Sequence, residues 1–363
     1  MRVAVDLRCL LEPFESGVTV YTKAMVDELL QRADVKLDLF YQARVRCPAI
    51  HERYPQARHV GLSNTLFHAR SVLRFPRLPA GYFLLKPDLI WLPDRRPFYR
   101  TEIPVVMTIH DQVPERLASS LSVKGRLWHG LFSARRLQRF CAGILFPSLT
   151  VAQAVNSALP WEVTYEGARL AARATKPSGL STKGDFVLSL APLDPRKRLN
   201  WVFAMARVFP KVQFVCAGLK KNDSRFSSLR LPQLPNVHFL GAVTEEEKKW
   251  LLTHASVLLS LSAYEGFDLP VLEAVSTKTP VILSDIAVHH ELYKKATFVR
   301  TLSELQGALY SALENGGKIP EVRGLYSWEK AAERALLFFF RVLLHKDRKR
   351  RGHGNRHDHS YDS

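Results

Sequence analysis

Residues 256–285, SVLLSLSAYEGFDLPVLEAVSTKTPVILSD, decide the fold class of this chain. The run opens with an apolar segment of strand length, SVLLSLS, and closes with another, PVILSD. Between them LPVLEAVSTK carries apolar residues at helical spacing, and Pro270 suits a first helical turn because it lacks an N–H group. A strand, a helix and a second strand in this order predict a parallel β-α-β unit.

The same alternation continues on both sides of this unit. Residues 185–326 also contain the strand patterns FVLSLAPL, VQFVCAG and VHFLG, and residues 1–165 contain RVAVDL, LDLFYQ, DLIWL, VVMTIHD and AGILFPS, with helical patterns between several of them. Residues 166–184 lack an apolar period and are rich in small residues and Pro, as linkers are. The sequence therefore predicts an α/β protein with two doubly wound (Rossmann-like) parallel-sheet domains that face a central cleft.

The C-terminal end of the chain divides into two parts. Residues 327–344, SWEKAAERALLFFFRVLL, have the apolar spacing of a last helix. Residues 345–363, HKDRKRRGHGNRHDHSYDS, are nearly free of apolar side chains and are predicted to be disordered. We interpret the histidines of this tail as part of a solvated basic terminus, since a metal site needs fixed ligand geometry.

Composition limits the class of protein further. The 363 residues are 47% hydrophobic, enough for real cores, and carry a formal net charge of +18. This charge indicates anionic partners, whether nucleotide phosphates, acidic lipid headgroups or nucleic acid, and is equally typical of a soluble enzyme from a basic proteome. The four cysteines have no paired spacing, which argues against disulfides and a zinc site and favours the cytoplasm. Neither a signal peptide nor a run of about 20 apolar residues is found.

Two glutamates frame the turn inside the first segment. Glu265 follows the strand, and Glu273 lies about one turn inside the helix, where its carboxylate suits a ribose diol. The backbone N–H groups of Phe267, Asp268 and Leu269 stand at the helix start, where the helix dipole favours an anion. Taken singly, Glu265 is better explained as a helix cap and Glu273 as a solvated residue. Taken together with the turn and the strand, they favour a nucleotide site.

The setting S-x-Y-E-G-F-x-L-P-V-L-E-A resembles the signature of glycosyltransferase family 4, the group 1 glycosyl transferases. The segments LSLAPLDPRKRLNWVFAMA, NVHFLGAVTEEEKKWLLTHA, FPSLTVAQAV, VMTIHD and SGVTVYTKAMVDEL are also similar to that family, so the resemblance covers most of the chain up to about residue 344. It implies the GT-B fold, with the C-terminal helix crossing back to the first domain. It also implies retaining transfer of a hexose, such as mannose or glucose, from a nucleotide diphosphate-sugar to a glycan or lipid-linked acceptor. Bacterial surface polysaccharide assembly is the implied setting.

The resemblance implies roles for single residues. Arg196 and Lys197 would offset the charge on the donor diphosphate, so that neither a metal nor a cofactor is expected. Glu265 would orient the donor sugar, and His110 would contact the transferred sugar. The leaving diphosphate itself would deprotonate the acceptor. Donor-binding residues would be Glu273, Gly266, Phe267, Asp268, Leu269, Gly17 and Ser148, although Gly17 is also a plain turn former and Ser148 a common strand-end serine.

Three residues depart from the family pattern. Arg198 stands where Gly or Asn is frequent, and Asp268 and Lys278 stand where Gly is usual. A carboxylate at position 268 is unfavourable beside an anionic donor unless its side chain points away or binds a sugar hydroxyl. No core functional group is removed, so we expect activity. A catalytically silent GT-B scaffold stays an alternative, as does a basic nucleic-acid-binding protein, although no nucleic-acid module is found.

Two segments mix large apolar residues with Arg and Lys. They are VKGRLWHGLFSARRLQRF (residues 123–140) and ALLFFFRVLLHKDRKRR (residues 335–351). Such surfaces dock on acidic leaflets, which predicts peripheral contact with the inner face of the cell membrane. Core packing of the last helix, with Trp328 and the FFF run buried, is the favoured alternative. No specific nucleic-acid partner is expected.

Overall fold

The computed structural model describes residues 1–12, 15–61, 82–83, 85–111, 137–180, 185–191, 194–218 and 233–354. The chain forms two compact units. The first comprises Met1–Glu166 together with Ser327–Ser363, and the second comprises Gly167–Tyr326. The C-terminal segment thus belongs to the first unit, although the whole second unit precedes it in the sequence.

The first unit is built on a parallel sheet of seven strands. These are β1 (Arg2–Asp6), β2 (Lys36–Gln42), β3 (Arg58–Val60), β4 (Leu89–Leu92), β5 (Val105–Thr108), β6 (Gly143–Phe146) and β7 (Trp161–Val163). Their spatial order is β3-β2-β1-β4-β5-β6-β7, and every pair is parallel. The helices described between them are α1 (Gly17–Leu30), α2 (Pro48–Arg53) and α3 (Leu149–Val155).

The second unit is built on a parallel sheet of six strands. In chain order its elements are β8 (Phe186–Leu190), α4 (Leu199–Val208), β9 (Gln213–Ala217), β10 (Val237–Gly241), α5 (Glu245–His254), β11 (Val257–Ser260), α6 (Leu269–Ser276), β12 (Val281–Ser284), α7 (Ala287–Leu292), β13 (Tyr293–Lys294), β14 (Thr297–Val299), α8 (Leu302–Asn315) and β15 (Glu321–Val322). The sheet order is β10-β9-β8-β11-β12-β14, while β13 pairs with β15. The order reverses between β8 and β11, where ligands of doubly wound sheets usually bind.

Burial explains why these segments form parallel strands. All four residues of β4, LIWL, are buried, as are all four residues of β11, VLLS. Strands covered by helices on both faces are continuous apolar runs rather than alternating ones. The predicted fold class, two α/β domains with parallel sheets, is therefore confirmed.

The last helix, α9 (Trp328–Gly354), packs on the first unit. Trp328, Phe338 and Phe339 are buried as predicted, whereas Phe340, the third residue of the FFF run, is 37% exposed. The helix also continues ten residues past position 344, so residues 345–354 are helical where the sequence predicts disorder, and residues 355–363 lie outside the described residues. Lys and Arg are good helix formers, and they extend a helix that packing has already nucleated. Within the residues described, no helix is long and apolar enough to cross a membrane.

The contact between β6 and α9 leaves no room for a side chain at Gly143. A Cβ atom built there would lie 2.6 Å from Cζ of the buried Phe338 and 3.0 Å from Cγ2 of Val342. Gly143→Ala should therefore lower the free energy of unfolding by about 1–3 kcal/mol, the usual cost of overpacking.

Gly307 provides the matched control for this substitution. It lies in the exposed interior of α8 with nothing within 4 Å of a built Cβ, so Gly307→Ala should raise stability by about 0.5–1 kcal/mol. Urea unfolding followed by tryptophan fluorescence checks both values. Equal effects of the two substitutions would contradict the close packing of α9 on β6.

Candidate functional site

The predicted basic pair and the first predicted glutamate lie at one edge of the second sheet. Arg196 and Lys197 belong to a short 3-10 turn that follows β8, and Glu265 lies in the loop that follows β11. Since β8 and β11 are parallel neighbours, their carboxyl ends meet at the same edge. The two loops are also joined directly, because the N–H of Ala263 donates to the carbonyl of Arg196 at 2.8 Å.

Arg196 and Lys197 both pair with Glu265. Lys197 Nζ is 2.6 Å from Oε1 of this carboxylate, and Arg196 Nη1 is 3.2 Å from Oε2. Asp194 fixes the turn from the other side, as its carboxylate accepts a hydrogen bond from the backbone N–H of Arg196 at 2.9 Å. The side chains of Arg196, Lys197 and Glu265 are mostly buried, so their charges are screened less by solvent than those of surface pairs.

The three residues that depart from the family pattern share one backbone property. Arg198, Asp268 and Lys278 have φ values of 49°, 74° and 60°, which lie in the left-handed region that favours Gly and Asn. The guanidinium of Arg198 lies over the Trp201 ring, 4.9 Å from its centroid. Arg196 rather than Arg198 is therefore the arginine that pairs with Glu265.

Residues 266–269 form the turn that leads into α6. Gly266 follows Glu265, the Phe267 ring is buried against Tyr326 with centroids 5.9 Å apart, and Leu269 is the first residue of the helix. Like the first N–H groups of any α-helix, that of Leu269 has no acceptor within the helix. The side chain of Asp268 makes no capping bond to α6, and Glu265 is not the cap residue either. The turn can therefore present amide groups and the positive end of the helix dipole to an anion.

Glu273 is not the solvated helix residue of the alternative interpretation. It is 2% exposed, and its Oε1 lies 2.7 Å from Nζ of Lys248 in α5. Lys248 also pairs with Glu245 at 2.8 Å. Burial raises the pKa of Glu273 to about 7, against the attraction of Lys248, which lowers it. A buried carboxyl with this pKa gains and loses its proton near neutral pH.

His110 lies in the first unit, two residues after the end of β5. Its Nε2 is 2.8 Å from the backbone oxygen of Pro93, and this carbonyl can only accept, so Nε2 carries a proton. Its Nδ1 faces Oε1 of Glu166 at 3.7 Å, and its ring lies edge-on to Tyr21. Burial raises the pKa of Glu166. Burial by itself would lower the pKa of His110, but Glu166 and the Pro93 carbonyl raise it overall.

The two remaining predicted residues have local structural positions. Gly17 is the first residue of α1, and the start of this helix is stabilised by a capping box between Ser16 and Thr19. A Cβ atom built at Gly17 would meet nothing within 4 Å. The fold itself therefore does not require glycine at this position. Ser148 is buried and caps α3, since its Oγ accepts a hydrogen bond from the N–H of Val151 at 3.3 Å. The donor-binding roles of both residues stay predictions.

Sequence reasoning missed four polar residues that the structure places against the predicted ones. They are Glu166 beside His110, Lys248 beside Glu273, and Ser260 and His289 beside Asp268. Only the adjacent histidines in AVHHEL were a visible signal, because the other three lie in ordinary strand, helix and linker patterns. Among the residues that the structure describes, no group of three or more His, Cys, Asp or Glu is placed to hold a metal ion.

The structure defines an α/β protein of two parallel-sheet units, and comparison with known proteins shows what it is similar to. Residues 172–304 match the family described as "Glycosyl transferases group 1". The O-antigen chain mannosyltransferase RfbU of Salmonella typhimurium is 40% identical over 86 residues, 23% of this chain and 24% of the relative. O-antigen chain mannosyltransferase B of Escherichia coli is 28% identical over 169 residues, 42% of this chain and 44% of the relative. The chain thus aligns with less than half of either relative.

Solved structures resemble almost the whole chain. Anabaena HepE in complex with UDP and glucose has a TM-score of 0.62 at 16% identity, over 97% of this chain and 100% of that one. Sucrose-phosphate synthase from Thermosynechococcus elongatus has a TM-score of 0.66 at 17% identity, over 97% and 98%. The lipopolysaccharide outer core galactosyltransferase WaaB has a TM-score of 0.58 at 14% identity, over 96% and 100%. These likenesses establish the GT-B glycosyltransferase fold.

The pKa of Glu273 makes stability depend on pH. The folded-state pKa of about 7 lies above the ordinary value of 4.5, so the folded chain keeps a proton that the unfolded chain releases. This stabilisation is fully present below pH 4.5 and is lost as the pH rises through 7, a change of about 3 kcal/mol. Glu273→Gln cannot ionise and should gain about 2–3 kcal/mol relative to the wild type between pH 5 and pH 8.

Urea unfolding at the two pH values measures this difference. Glu314→Gln, a substitution at an exposed position of α8, is the control and should change by less than about 0.5 kcal/mol. If both variants responded to pH alike, the buried carboxyl at position 273 would not be the source of the pH dependence.

Proposed function

We propose that this protein is a retaining glycosyltransferase that moves a hexose from a nucleotide diphosphate-sugar to a glycan or lipid-linked acceptor. The observation that carries the proposal is the pairing of Arg196 and Lys197 with Glu265, at the carboxyl edge of β8 and β11. This cluster lies within the residues that match the group 1 glycosyl transferases. The names of the two mannosyltransferase relatives support mannose as the sugar and surface polysaccharide assembly as the setting.

The basic pair would bind the donor diphosphate. A diphosphate offers Arg196 and Lys197 more negative charge than the carboxylate of Glu265 does, and Arg is suited to bidentate contact with phosphate oxygens. Glu265, released from the cations, would turn to the hydroxyl groups of the donor sugar. The amides of Gly266, Phe267, Asp268 and Leu269 and the dipole of α6 would add to the positive potential at the phosphates.

Glu273 would bind the nucleotide ribose. Two neighbouring hydroxyl groups can donate to the two oxygens of one carboxylate, and this requires the ionised form. A carboxyl whose pKa is about 7 reaches that form easily, because the ribose hydroxyls replace part of the solvation that burial removed. Lys248, 2.7 Å away, would hold the carboxylate in place.

The transfer step itself breaks one bond and forms another on the same face of the sugar. The bond between the anomeric carbon and the diphosphate oxygen breaks, and the bond to the acceptor oxygen forms. The acceptor proton passes to the departing diphosphate, which serves as the base. Arg196 and Lys197 would offset the charge that develops on the leaving group, which is where fixed cations lower the barrier most. No metal or cofactor is assigned to the reaction.

His110 would contact the transferred sugar. Its Nε2 is committed to the Pro93 carbonyl, so a sugar hydroxyl would approach at Nδ1, where Glu166 now lies 3.7 Å away. Glu166 would then set how readily Nδ1 carries a proton. We assign no catalytic role to Gly17 or Ser148, and their contribution to donor binding would be through the backbone and the cap.

Substitution of the basic pair tests the assignment. Lys197→Ala should lower kcat by about a hundredfold to a thousandfold, because it removes a charge that stabilises the leaving diphosphate. Glu265→Gln keeps the shape of the side chain and should lower kcat by a similar factor, since it loses the anionic acceptor for sugar hydroxyls.

Release of nucleoside diphosphate from a panel of nucleotide sugars, with and without acceptor, measures these rates. Lys294→Ala, an exposed lysine of β13 in the same unit, is the control and should keep full activity. Full turnover by Lys197→Ala would defeat the residue assignment. Donor binding without turnover by the wild type would favour a silent scaffold.

A second proposal concerns the surface of α9. Leu337, Phe340 and Leu344 are 57%, 37% and 62% exposed, and their spacing places them on one side of the helix. A groove of about 830 Å³ nearby is lined by Phe140, Trp161, Arg139 and Lys346, among other residues. Exposed apolar side chains beside cations suit an anionic membrane surface. Residues 123–136, the larger part of the other predicted membrane segment, lie outside the described residues.

Liposome flotation tests this proposal. The triple variant Leu337→Ser, Phe340→Ser, Leu344→Ser should bind vesicles containing phosphatidylglycerol at least about tenfold more weakly than the wild type, because the apolar contact is lost. Leu325→Ser changes a leucine that is 78% exposed in the second unit and should leave binding unchanged. Equal binding by the triple variant would contradict membrane docking through α9.

A further inference from the structure

Asp268 directs its carboxylate into the interior of the second unit. Its side chain is 1% exposed, and its left-handed φ of 74° turns it away from the N–H groups of α6. Oδ2 accepts a short hydrogen bond from Oγ of Ser260, the last residue of β11. The same oxygen lies 3.0 Å from Nε2 of His289 in α7. A carboxylate that would stand at the anion-binding turn is thus withdrawn from it.

His289 is buried completely, and both of its ring nitrogens face acceptors. Nδ1 is 2.8 Å from the backbone oxygen of Ser284, at the end of β12, and a carbonyl oxygen can only accept. Nε2 faces the Asp268 carboxylate, which already accepts from Ser260. Burial by itself would raise the pKa of Asp268, but the hydrogen bond from His289 and the charge on Lys197 lower it. Because a carbonyl oxygen and a carboxylate oxygen both act as acceptors, the geometry of these two contacts calls for a proton on each ring nitrogen, which is the imidazolium form of His289.

We infer that His289 is a positioning residue for diphosphate binding: its buried positive charge offsets the negative charge of Asp268 and holds Asp268, within the turn 265–269, in its left-handed conformation. This inference rests on the proposed function, since it assigns a diphosphate to that turn. It explains how the chain carries a carboxylate at position 268, where the family that the sequence resembles usually has glycine. The pair restores the electrostatic neutrality that glycine supplies without any side chain.

The neighbouring charges show why the pair matters. Lys197 acts electrostatically on Asp268 and also lies 2.6 Å from Glu265. Without the imidazolium, the carboxylate of Asp268 would compete with a diphosphate for the charge of Lys197. An uncompensated buried charge is also strongly unfavourable, so the turn would rearrange to expose Asp268 at the site.

Binding of inorganic pyrophosphate, measured by isothermal titration calorimetry on the full chain, tests the inference. His289→Leu should weaken binding about tenfold or more, because it leaves the charge of Asp268 uncompensated. Asp268→Asn supplies the background without the carboxylate, since Asn tolerates the left-handed conformation and carries no charge. The double variant Asp268→Asn, His289→Leu should recover to within about threefold of Asp268→Asn, because no carboxylate is left to compensate.

Rescue by the second substitution separates charge compensation from a purely structural role. An equal loss on replacing His289 in both backgrounds, or no loss in either, would overturn the inference. If His289→Leu does not fold, His289→Gln takes its place, and its smaller loss should again vanish when Asp268 is Asn. Two protonated ring nitrogens of His289 in nitrogen-15 NMR at pH 7.5, assigned by the missing signal in the variant, support the pair; a neutral ring contradicts it.

The sugar-transfer assay distinguishes this inference from the proposed function. A wild-type protein that binds pyrophosphate with the expected dependence on His289, yet transfers no sugar, contradicts the enzyme and keeps the pair. A wild-type protein that does not bind pyrophosphate overturns the role of the pair in diphosphate binding, whatever the assay shows.

Discussion

The candidate site depends on one constraint: two cations and one carboxylate are held together where two parallel strands end. Arg196 and Lys197 stay close to Glu265 because β8 and β11 are neighbours and because a backbone hydrogen bond joins their loops. Opposite charges in a mostly buried setting attract strongly, but each also loses hydration, so the cluster stabilises the fold little. Its consequence is positional. It keeps two positive charges beside the start of α6, where an anion can replace the carboxylate.

Two residues beside this cluster have an unusual backbone conformation. Arg198 and Asp268 stand on its two sides in left-handed conformations that cost non-glycine residues about 1–2 kcal/mol each. Each is offset by a contact of its side chain, Arg198 over Trp201 and Asp268 with Ser260 and His289. The sequence marks these positions only as departures from a family pattern. The structure gives the shared physical reason, since glycine is the residue best suited to a positive φ.

Much of the fold follows from the sequence because its signals are local. Short apolar runs between helical patterns identify most strands of both sheets, and the turn with Glu265 and Pro270 identifies α6. The pattern did not reveal α8 (Leu302–Asn315) or β14 (Thr297–Val299), and it ended α9 ten residues too early. The basic pair and Glu265 could be named because they lie in loops that follow strands, and Glu273 because it lies about one turn inside the next helix.

The partners of the site residues could not be predicted, because they depend on contacts between distant segments. Lys248 meets Glu273 across 25 positions of sequence and His289 meets Asp268 across 21, and no local period encodes either pair. Glu166, which faces His110, is the first residue of the segment that the sequence predicts to be a linker. The protonation of Glu273 likewise follows from burial, which only the folded chain determines.

A crystal structure with a bound nucleoside diphosphate tests the central claim most directly. The account predicts diphosphate oxygens within about 3 Å of Lys197 Nζ and of the Arg196 guanidinium, with Glu265 displaced from both cations. A diphosphate bound elsewhere, while Arg196 and Lys197 remain paired with Glu265, would contradict it.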